Sequence, residues 1–401
     1  MVIFILGIIL FLALIITHEM GHFLVAKRNG VKAEEFGIFF PPKLWSKKMK
    51  GGWDFTINLL PLGGFVKLKG EHDSDTEKGS FGAASDWVKA KIMLAGVAVN
   101  LVTALVLFTI LALLGMPKLI DNQFTIAKDT KVSTQKLLAG AVVPGSPAER
   151  IGIKPQDQIQ ALRVSNPGVT CAEETVCEPA KTVSINTATD LKKYTKENAG
   201  KYVTVRYVRE GSESTKRVRL LTDAEVQKSL KTDNPSGPLG IAPQEITLRR
   251  STWSAPVVAV GLTAQFTQLT LKGIGTALQG LGGIIAGGLT GNTTARQNAQ
   301  TEASSQVSGP LGIYFVLKGG SSLGVLFMLF IIAIIALTLA IMNVLPIPAL
   351  DGGRLYMMLA SRLTKAKRLT PKMEENIVGA SFLLLLGLII LITLVDAKRF
   401  F

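Results

Sequence analysis

The chain has 401 residues, of which 48% are hydrophobic and only 18% are charged, an average too apolar for an ordinary soluble enzyme of this length. Its formal net charge of +15 would fit a nucleic-acid-binding protein, but twelve Lys and Arg lie within residues 27–91 and six within residues 354–372. Both basic segments flank apolar stretches, as the positive-inside rule describes for cytoplasmic loops, so no nucleic-acid partner is expected.

Four apolar stretches are predicted to cross a bilayer core of about 30 Å as helices. The first stretch lacks the basic n-region and the cleavage site of a secretion signal, so a retained helix is expected there. The predicted transmembrane helices are residues 1–26, 92–116, 319–353 and 377–396.

The first predicted helix ends in His18-Glu-Met-Gly-His22, which matches the zinc-protease pattern H-E-x-x-H. In that pattern two histidines one helical turn apart face the same metal, and the glutamate between them, here Glu19, acts as a base. The alternative is a helix end with two solvated histidines. Ionisable residues that interrupt a membrane span are costly and usually functional, which favours the metal site.

The next predicted feature is a cytoplasmic loop, residues 27–91, that contains a β-hairpin over residues 54–69. Two strand-like runs flank a Pro-Leu-Gly-Gly turn. Its tip is apolar and would fit burial in the protein or the membrane, although non-helical backbone enters a membrane only where protein or water satisfies it.

Residues 117–250 are predicted to form an extracytoplasmic domain. Turns and strands from Gly140 to Ile159, an alternating strand at residues 203–208 and the closing Gly237-Pro-Leu-Gly-Ile241 resemble a PDZ domain, which adds extended peptides to a sheet edge. Residues 164–182 look like an insertion. They contain the only two cysteines, Cys171 and Cys177, which either form a disulfide or remain free thiols.

Residues 251–318 are predicted to form interfacial, amphipathic helices, because Pro, Gly and polar residues interrupt their uncharged runs. Two further spans are the alternative. A single extra span would move Asp351 to the opposite side of the membrane from the H-E-x-x-H pattern. Residues 354–376 are predicted to form a second cytoplasmic loop.

A catalytic zinc has three protein ligands and one open position, so a third ligand is needed. His72 is the only other histidine, but acidic residues surround it in a stretch typical of a solvated loop. Asp351 is the better candidate, because it directly follows an apolar stretch. The number of membrane crossings between the two motifs also places it at the same depth in the membrane as the histidines. The alternative is an aspartate that marks a helix end before Gly352-Gly353.

Together these motifs resemble the site-2 protease family of intramembrane zinc metalloproteases, of the bacterial regulator-of-sigma-E type. The resemblance covers nearly the entire chain and rests on H-E-x-x-H, the Pro-Leu-Gly-Gly turn, the PDZ-like domain, Ser308-Gly-Pro310, and Asn343-x-x-Pro346-x-Pro348-x-Leu350-Asp351-Gly352. The regulator type has two tandem PDZ domains, whereas residues 117–250 have room for one.

The resemblance implies a fold class: an α-helical polytopic membrane protein with four core transmembrane helices, a membrane-associated β-hairpin and an inserted α+β PDZ-like domain. It implies one catalytic Zn²⁺ held by His18, His22 and Asp351, with Glu19 as the base. The residues expected to bind substrate are Asn343, Pro346, Pro348, Gly63, Gly64, Phe65, Val66, Lys67 and Leu68.

The expected function is cleavage of transmembrane segments in single-span membrane proteins, such as anti-sigma factors or remnant signal peptides, within the bacterial inner membrane. The lipid bilayer and peptide C-termini at the PDZ-like domain are further expected partners. The alternative is a membrane chaperone or PDZ scaffold with a structural metal, although such a metal needs no adjacent base and is usually closed by four ligands. A transporter is less favoured, because no inverted repeat is visible.

Overall fold

The computed structural model describes residues 2–71, 75–164, 182–209, 211–230, 234–290, 309–363 and 370–400. Two compact units make up the chain. The helical unit comprises Met1–Ala112 and Trp253–Phe401, and the insert unit comprises Leu113–Thr252. His72, Cys171, Cys177 and Ser308 lie outside the described residues, so the statements made about them above remain predictions.

Helices and strands are numbered here in chain order. The helices are α1 (Val2–Arg28), α2 (Asp86–Leu114), α3 (Pro147–Arg150), α4 (Ala188–Glu197), α5 (Asp223–Ser229), α6 (Ala255–Thr290), α7 (Pro310–Leu323), α8 (Val325–Val344), α9 (Asp351–Leu363) and α10 (Pro371–Phe400). The strands are β1 (Ala33–Lys48), β2 (Asp54–Leu68), β3 (Met116–Pro117), β4 (Lys131–Val142), β5 (Gln158–Val164), β6 (Thr182–Ser184), β7 (Tyr202–Arg209), β8 (Ser212–Arg219) and β9 (Ile241–Arg250).

Among the described residues, four helices are long and apolar enough to cross a membrane. They are α1, α2, α8 and residues 372–394 of α10. Large apolar side chains remain exposed on them, such as Leu383 at 67% and Leu384 at 70%. A helix that is hydrophobic on all sides and not covered by protein is typical of a membrane span. The prediction of four transmembrane helices is confirmed to this extent.

The third predicted span is shorter than expected, because a helix break divides it. Gly324 has a φ of +109°, a left-handed conformation that glycine adopts readily, and it separates α7 from α8. Residues 319–323 therefore belong to α7. The predicted loop over residues 354–376 is also partly helical, since α9 continues to Leu363. The break at Gly324 was missed because residues 319–350 carry no charge and form one continuous uncharged stretch of sequence.

Helix α6 is a single helix of 36 residues within the region 251–318, where interfacial, amphipathic helices were predicted. It is not among the candidate membrane spans found in the described residues. The Phe266 ring of α6 packs against Phe108 of α2 and Phe330 of α8, with ring centroids 5.9 Å apart in both pairs. This aromatic cluster joins α6 to two of the candidate spans.

The sheet of the helical unit differs from the predicted hairpin. Residues 54–57 and 64–68 do not pair with each other; each pairs instead with residues 33–38 of β1, which lie between them. The predicted local hairpin is wrong in this respect. The physical reason is that the connecting residues 58–63 are long enough to span the roughly 10 Å across an intervening strand. Residues 64–68 form an edge of this sheet with no further strand partner among the described residues.

The insert unit contains a sheet in the order β3-β9-β4-β5-β7-β8, with β6 beside β5. Its core is apolar and includes Leu137, Ile159, Leu162, Val203 and Val205, all fully buried. Helix α4 begins with a capping box, in which Thr187 accepts from the Asp190 N–H and Asp190 accepts from the Thr187 N–H. The predicted strand at residues 203–208 corresponds to β7.

Candidate metal centre

Three potential metal ligands meet where α1 and α9 approach each other. His18 Nε2 lies 3.2 Å and His22 Nε2 lies 3.3 Å from Asp351 Oδ2, and the two Nε2 atoms are 3.3 Å apart. Ligands at 2.0 to 2.2 Å from a tetrahedral zinc ion are separated by about 3.3 to 3.6 Å. The triangle of donor atoms therefore has the dimensions of one face of a zinc coordination tetrahedron.

Burial and hydrogen bonding at the cluster also favour a cation. Both histidines are 9% exposed, and Asp351 Oδ2 is buried without a hydrogen-bond partner in the described part of the chain. Burial alone would raise the pKa of Asp351, but the two neighbouring imidazoles lower that pKa below its usual range. A buried carboxylate oxygen is costly unless positive charge compensates it, so this oxygen beside two imidazole nitrogens fits a bound zinc ion.

Glu19 lies beside the cluster in a cavity of about 360 Å³ that is also lined by His22 and Asp351. Gly64 packs on the side chain of Glu19, since a Cβ at position 64 would lie 3.1 Å from Glu19 Cγ. The backbone amide of Val66 forms a hydrogen bond with the Glu19 carboxylate. The edge strand, residues 64–68, thus contacts the predicted base through Gly64 and through a backbone amide.

The structure brings only part of the predicted substrate-binding set to this cavity. The residues that line it include Gly64, Phe65, Val66, Lys67 and Leu68. Gly63 faces Phe40 instead.

Three other predicted residues are outside the lining of this cavity as far as the structure describes it. Asn343 lies in the last turn of α8, and Pro346 and Pro348 lie in the connection from α8 to α9.

Five residues that line the cavity were not predicted from the sequence, and two of them, Arg354 and Glu71, are polar. Arg354, one turn after Asp351 on α9, donates through Nη2 to Glu71 Oε2 at 3.2 Å, and Glu71 Oε1 accepts from the Leu68 N–H at 2.7 Å. The end of the edge strand is thereby tied to the helix that begins with Asp351. A single acidic residue in a polar loop carries no sequence signal that would have identified this link.

Comparison with known proteins agrees with this geometry. Residues 6–388 match the model of peptidase family M50. A zinc metalloprotease by name from Clostridium perfringens is 28% identical over 390 residues, which cover 97% of each chain. One from Clostridium acetobutylicum is 30% identical over 394 residues, covering 98% of this chain and 96% of the relative. The Enterococcus faecalis protein named as protease Eep is 25% identical over 457 aligned positions, covering 98% of each.

Proposed function

The chain belongs to peptidase family M50, a family of zinc metalloproteases, and we propose that this membrane-embedded enzyme hydrolyses peptide bonds within the transmembrane segments of other proteins. One observation carries the proposal. His18, His22 and Asp351 form a triangle of donor atoms with the dimensions of a zinc face, and Glu19 lies in the same cavity as two of them.

In the proposed mechanism His18, His22 and Asp351 hold one zinc ion. When bound, such an ion acts as a Lewis acid that lowers the pKa of a water molecule and polarises the scissile carbonyl. Glu19 accepts the proton of the attacking water as a general base and returns it to the leaving amine nitrogen as a general acid. A structural metal in a scaffold would have no use for Glu19 in this place.

The edge strand supports a proposal for substrate binding. A peptide bond in a transmembrane helix is hidden within the hydrogen-bond ladder, and each backbone group freed in lipid costs several kcal/mol unless it is paired. An unwound substrate segment can pair with residues 64–68 by strand addition. In the structure the amides of Val66 and Leu68 interact with Glu19 and Glu71, so substrate binding would exchange these carboxylates for substrate carbonyls.

We assign supporting roles to three residues outside the lining of the cavity. The Asn343 side chain can pair with the other edge of the extended substrate. Pro346 and Pro348 supply no backbone N–H to the end of α8, so carbonyl oxygens of its last turn can accept from water or substrate amides.

The edge of β9 beside α4 supports the proposed PDZ-like function. On the side of β9 opposite β4, only its last residues pair with β3, so residues 241–246 have no strand partner there in the described part of the sheet. Helix α4 lies along this edge, where the Ala188 N–H donates to Glu245 Oε1 at 2.7 Å. We propose that peptide C-termini bind at this edge by adding a strand to β9.

The orientation proposed here follows from the basic loops. Residues 27–91 and 354–376 would face the cytoplasm, so the insert unit would be extracytoplasmic and the zinc site would lie near the cytoplasmic side. The location would be the inner membrane of a bacterial cell. Single-span proteins, including anti-sigma factors and remnant signal peptides, are the proposed substrates.

Two variants test the proposed function in purified full-length protein. Glu19→Gln should abolish cleavage of a reconstituted single-span substrate and leave the zinc content unchanged, because Glu19 is not a ligand. Asp351→Ala should lower zinc content and cleavage together, because it removes one of three protein ligands. Loss of zinc in the first variant, or normal zinc content in the second, would contradict the assigned roles.

A further inference from the structure

The second transmembrane helix contacts the histidine cluster through one face. Ile92, Gly96 and Asn100 are spaced four residues apart on α2, so they lie on the same side of the helix. Ile92 and Asn100 are 2% and 1% exposed. The H-E-x-x-H pattern lies entirely on α1, so this α2 face is a separate structural feature of the site.

Ile92 determines which nitrogen of His22 is free. His22 Nδ1 lies 2.7 Å from the backbone carbonyl oxygen of Ile92. A carbonyl oxygen only accepts hydrogen bonds, so Nδ1 carries the proton. In the neutral imidazole Nε2 then has the lone pair, and Nε2 is the atom that lies 3.3 Å from Asp351.

Asn100 faces Nδ1 of His18, as the Ile92 carbonyl faces Nδ1 of His22. The amide nitrogen of Asn100 is placed 3.2 Å from His18 Nδ1, while Asn100 Oδ1 is buried without a hydrogen-bond partner in the described residues. The two ends of an amide have the same shape, and only their partners distinguish them. With the oxygen towards the ring, His18 Nδ1–H donates to Asn100 and Nε2 keeps its lone pair.

The opposite orientation of the amide conflicts with a metal site. A donating Asn100 nitrogen would leave the proton of neutral His18 on Nε2. That proton would point towards His22 Nε2 and Asp351 Oδ2, which lie 3.3 and 3.2 Å away. Metal ligation by a histidine requires an unprotonated nitrogen at this position.

Gly96 lets α2 approach both imidazoles. A Cβ at position 96 would overlap His22 Nε2 and the ring of His18. Any side chain at this position would therefore displace the two rings from their places next to Asp351.

We propose that Ile92, Gly96 and Asn100 form a positioning surface on α2 that orients both histidines and selects the tautomers in which Nε2 is the ligand. In this arrangement Asn100 accepts the hydrogen bond of His18 Nδ1–H. The inference rests on the proposed function, because it takes His18 and His22 to be zinc ligands. Hydrogen-bond partners of this kind fix ring orientation and raise ligand basicity.

The test compares the Zn²⁺ dissociation constants of purified full-length variants, measured by competition with a chromophoric chelator. Asn100→Leu removes the acceptor at similar size and should raise the dissociation constant about 10- to 100-fold. Asn100→Asp retains an acceptor for Nδ1–H and should bind zinc nearly as well as the wild type. Thr109→Val is the matched control, since within the described residues the Thr109 hydroxyl bonds only to Leu105 O of its own helix, at 2.8 Å.

The proposal would be overturned by wild-type zinc affinity in Asn100→Leu, or by equal weakening in Asn100→Asp and Asn100→Leu. A His18→Ala variant that retains full zinc affinity would instead contradict the proposed function, which keeps the two failures apart. If Asn100→Leu does not fold, the ring tautomers of His18 and His22 in the wild type can be read by nitrogen-15 NMR. Protons on Nδ1 of both rings are expected, and a proton on Nε2 of His18 would refute the role of Asn100.

A second substitution tests the close approach itself. Gly96→Ala should weaken zinc binding and alter the visible spectrum of bound Co²⁺, because the added methyl group displaces both rings. Gly275→Ala on α6 is the control, since a Cβ there meets nothing within 4 Å. Wild-type affinity and an unchanged Co²⁺ spectrum in Gly96→Ala would show that α2 does not position the histidines.

Discussion

The two units of the chain differ in where their large apolar side chains lie. The helical unit buries His18, His22 and Asn100 while leaving Leu383 and Leu384 largely exposed. The insert unit encloses an apolar core of aliphatic and tyrosine residues, as a water-soluble domain does. The exposed apolar side chains of the long helices fit a lipid environment, and the polar groups buried between these helices are available for chemistry.

Metal removal should give the largest effect, and it should be confined to one unit. Chelation should lower the cleavage rate at least about 100-fold. Without the ion, nothing polarises the scissile carbonyl or the water whose proton Glu19 accepts. Hydrogen exchange followed by mass spectrometry should show faster exchange in α1 and α9 and no change in the insert unit. Loss of protection in the insert unit on chelation would break the comparison.

The next effect concerns the main buried charge of the insert unit. Asp157 is 1% exposed and accepts from Arg209 Nε at 2.8 Å and Nη2 at 2.6 Å. Asp157→Ala should lower the local free energy of unfolding by about 2 kcal/mol. This value is smaller than the cost of breaking a fully buried ion pair, because the Arg209 side chain is partly exposed. Exchange in β5 and β7 should then be about 30-fold faster, with unchanged zinc content.

The exposed pair of Arg206 and Glu213 on the same sheet provides the control for that measurement. Its Nε and Oε1 atoms are 3.5 Å apart and both side chains are about half exposed. Glu213→Ala should cost less than about 1 kcal/mol. Equal effects of Asp157→Ala and Glu213→Ala would contradict the contrast between buried and exposed charges.

A smaller effect is expected from the edge strand. Val66→Pro and Leu68→Pro each remove an amide N–H that points away from β1. The cleavage rate should fall about 10-fold in each variant, which corresponds to the loss of one hydrogen bond to the substrate. Val66→Ala and Leu68→Ala retain the amides and are the controls for lost packing. Initial rates at verified zinc content measure the effect, and equal rates in the Pro and Ala variants would show that substrate does not pair with this edge.

The features that could be predicted from the sequence are those marked by a long apolar run or a known motif. Long uncharged runs predict the four spans, and the depth argument predicts that Asp351 meets the H-E-x-x-H pattern, which the geometry agrees with. The arrangement of residues 33–38 between two arms of β2 was missed, because strand order is a non-local property. Asn100 was also missed, since a single polar residue within an apolar run has no periodic signal.

The smallest predicted effect concerns the substrate, and it tests whether the polar interior of the helical unit acts on an unwound chain. Unwinding a transmembrane helix breaks its hydrogen bonds before the edge strand can replace them. Glycine lowers helix stability by about 1 kcal/mol relative to alanine, so each Gly near the cut should raise the initial rate about 5-fold over a matched Ala substrate. Asn and Pro should also accelerate cleavage relative to an all-Leu segment.

The matched control places the same Gly two turns away from the cut, where the helix stays wound. Rates that depend only on the total number of glycines, or on none of them, would show that local unwinding does not limit cleavage, even with the zinc site intact.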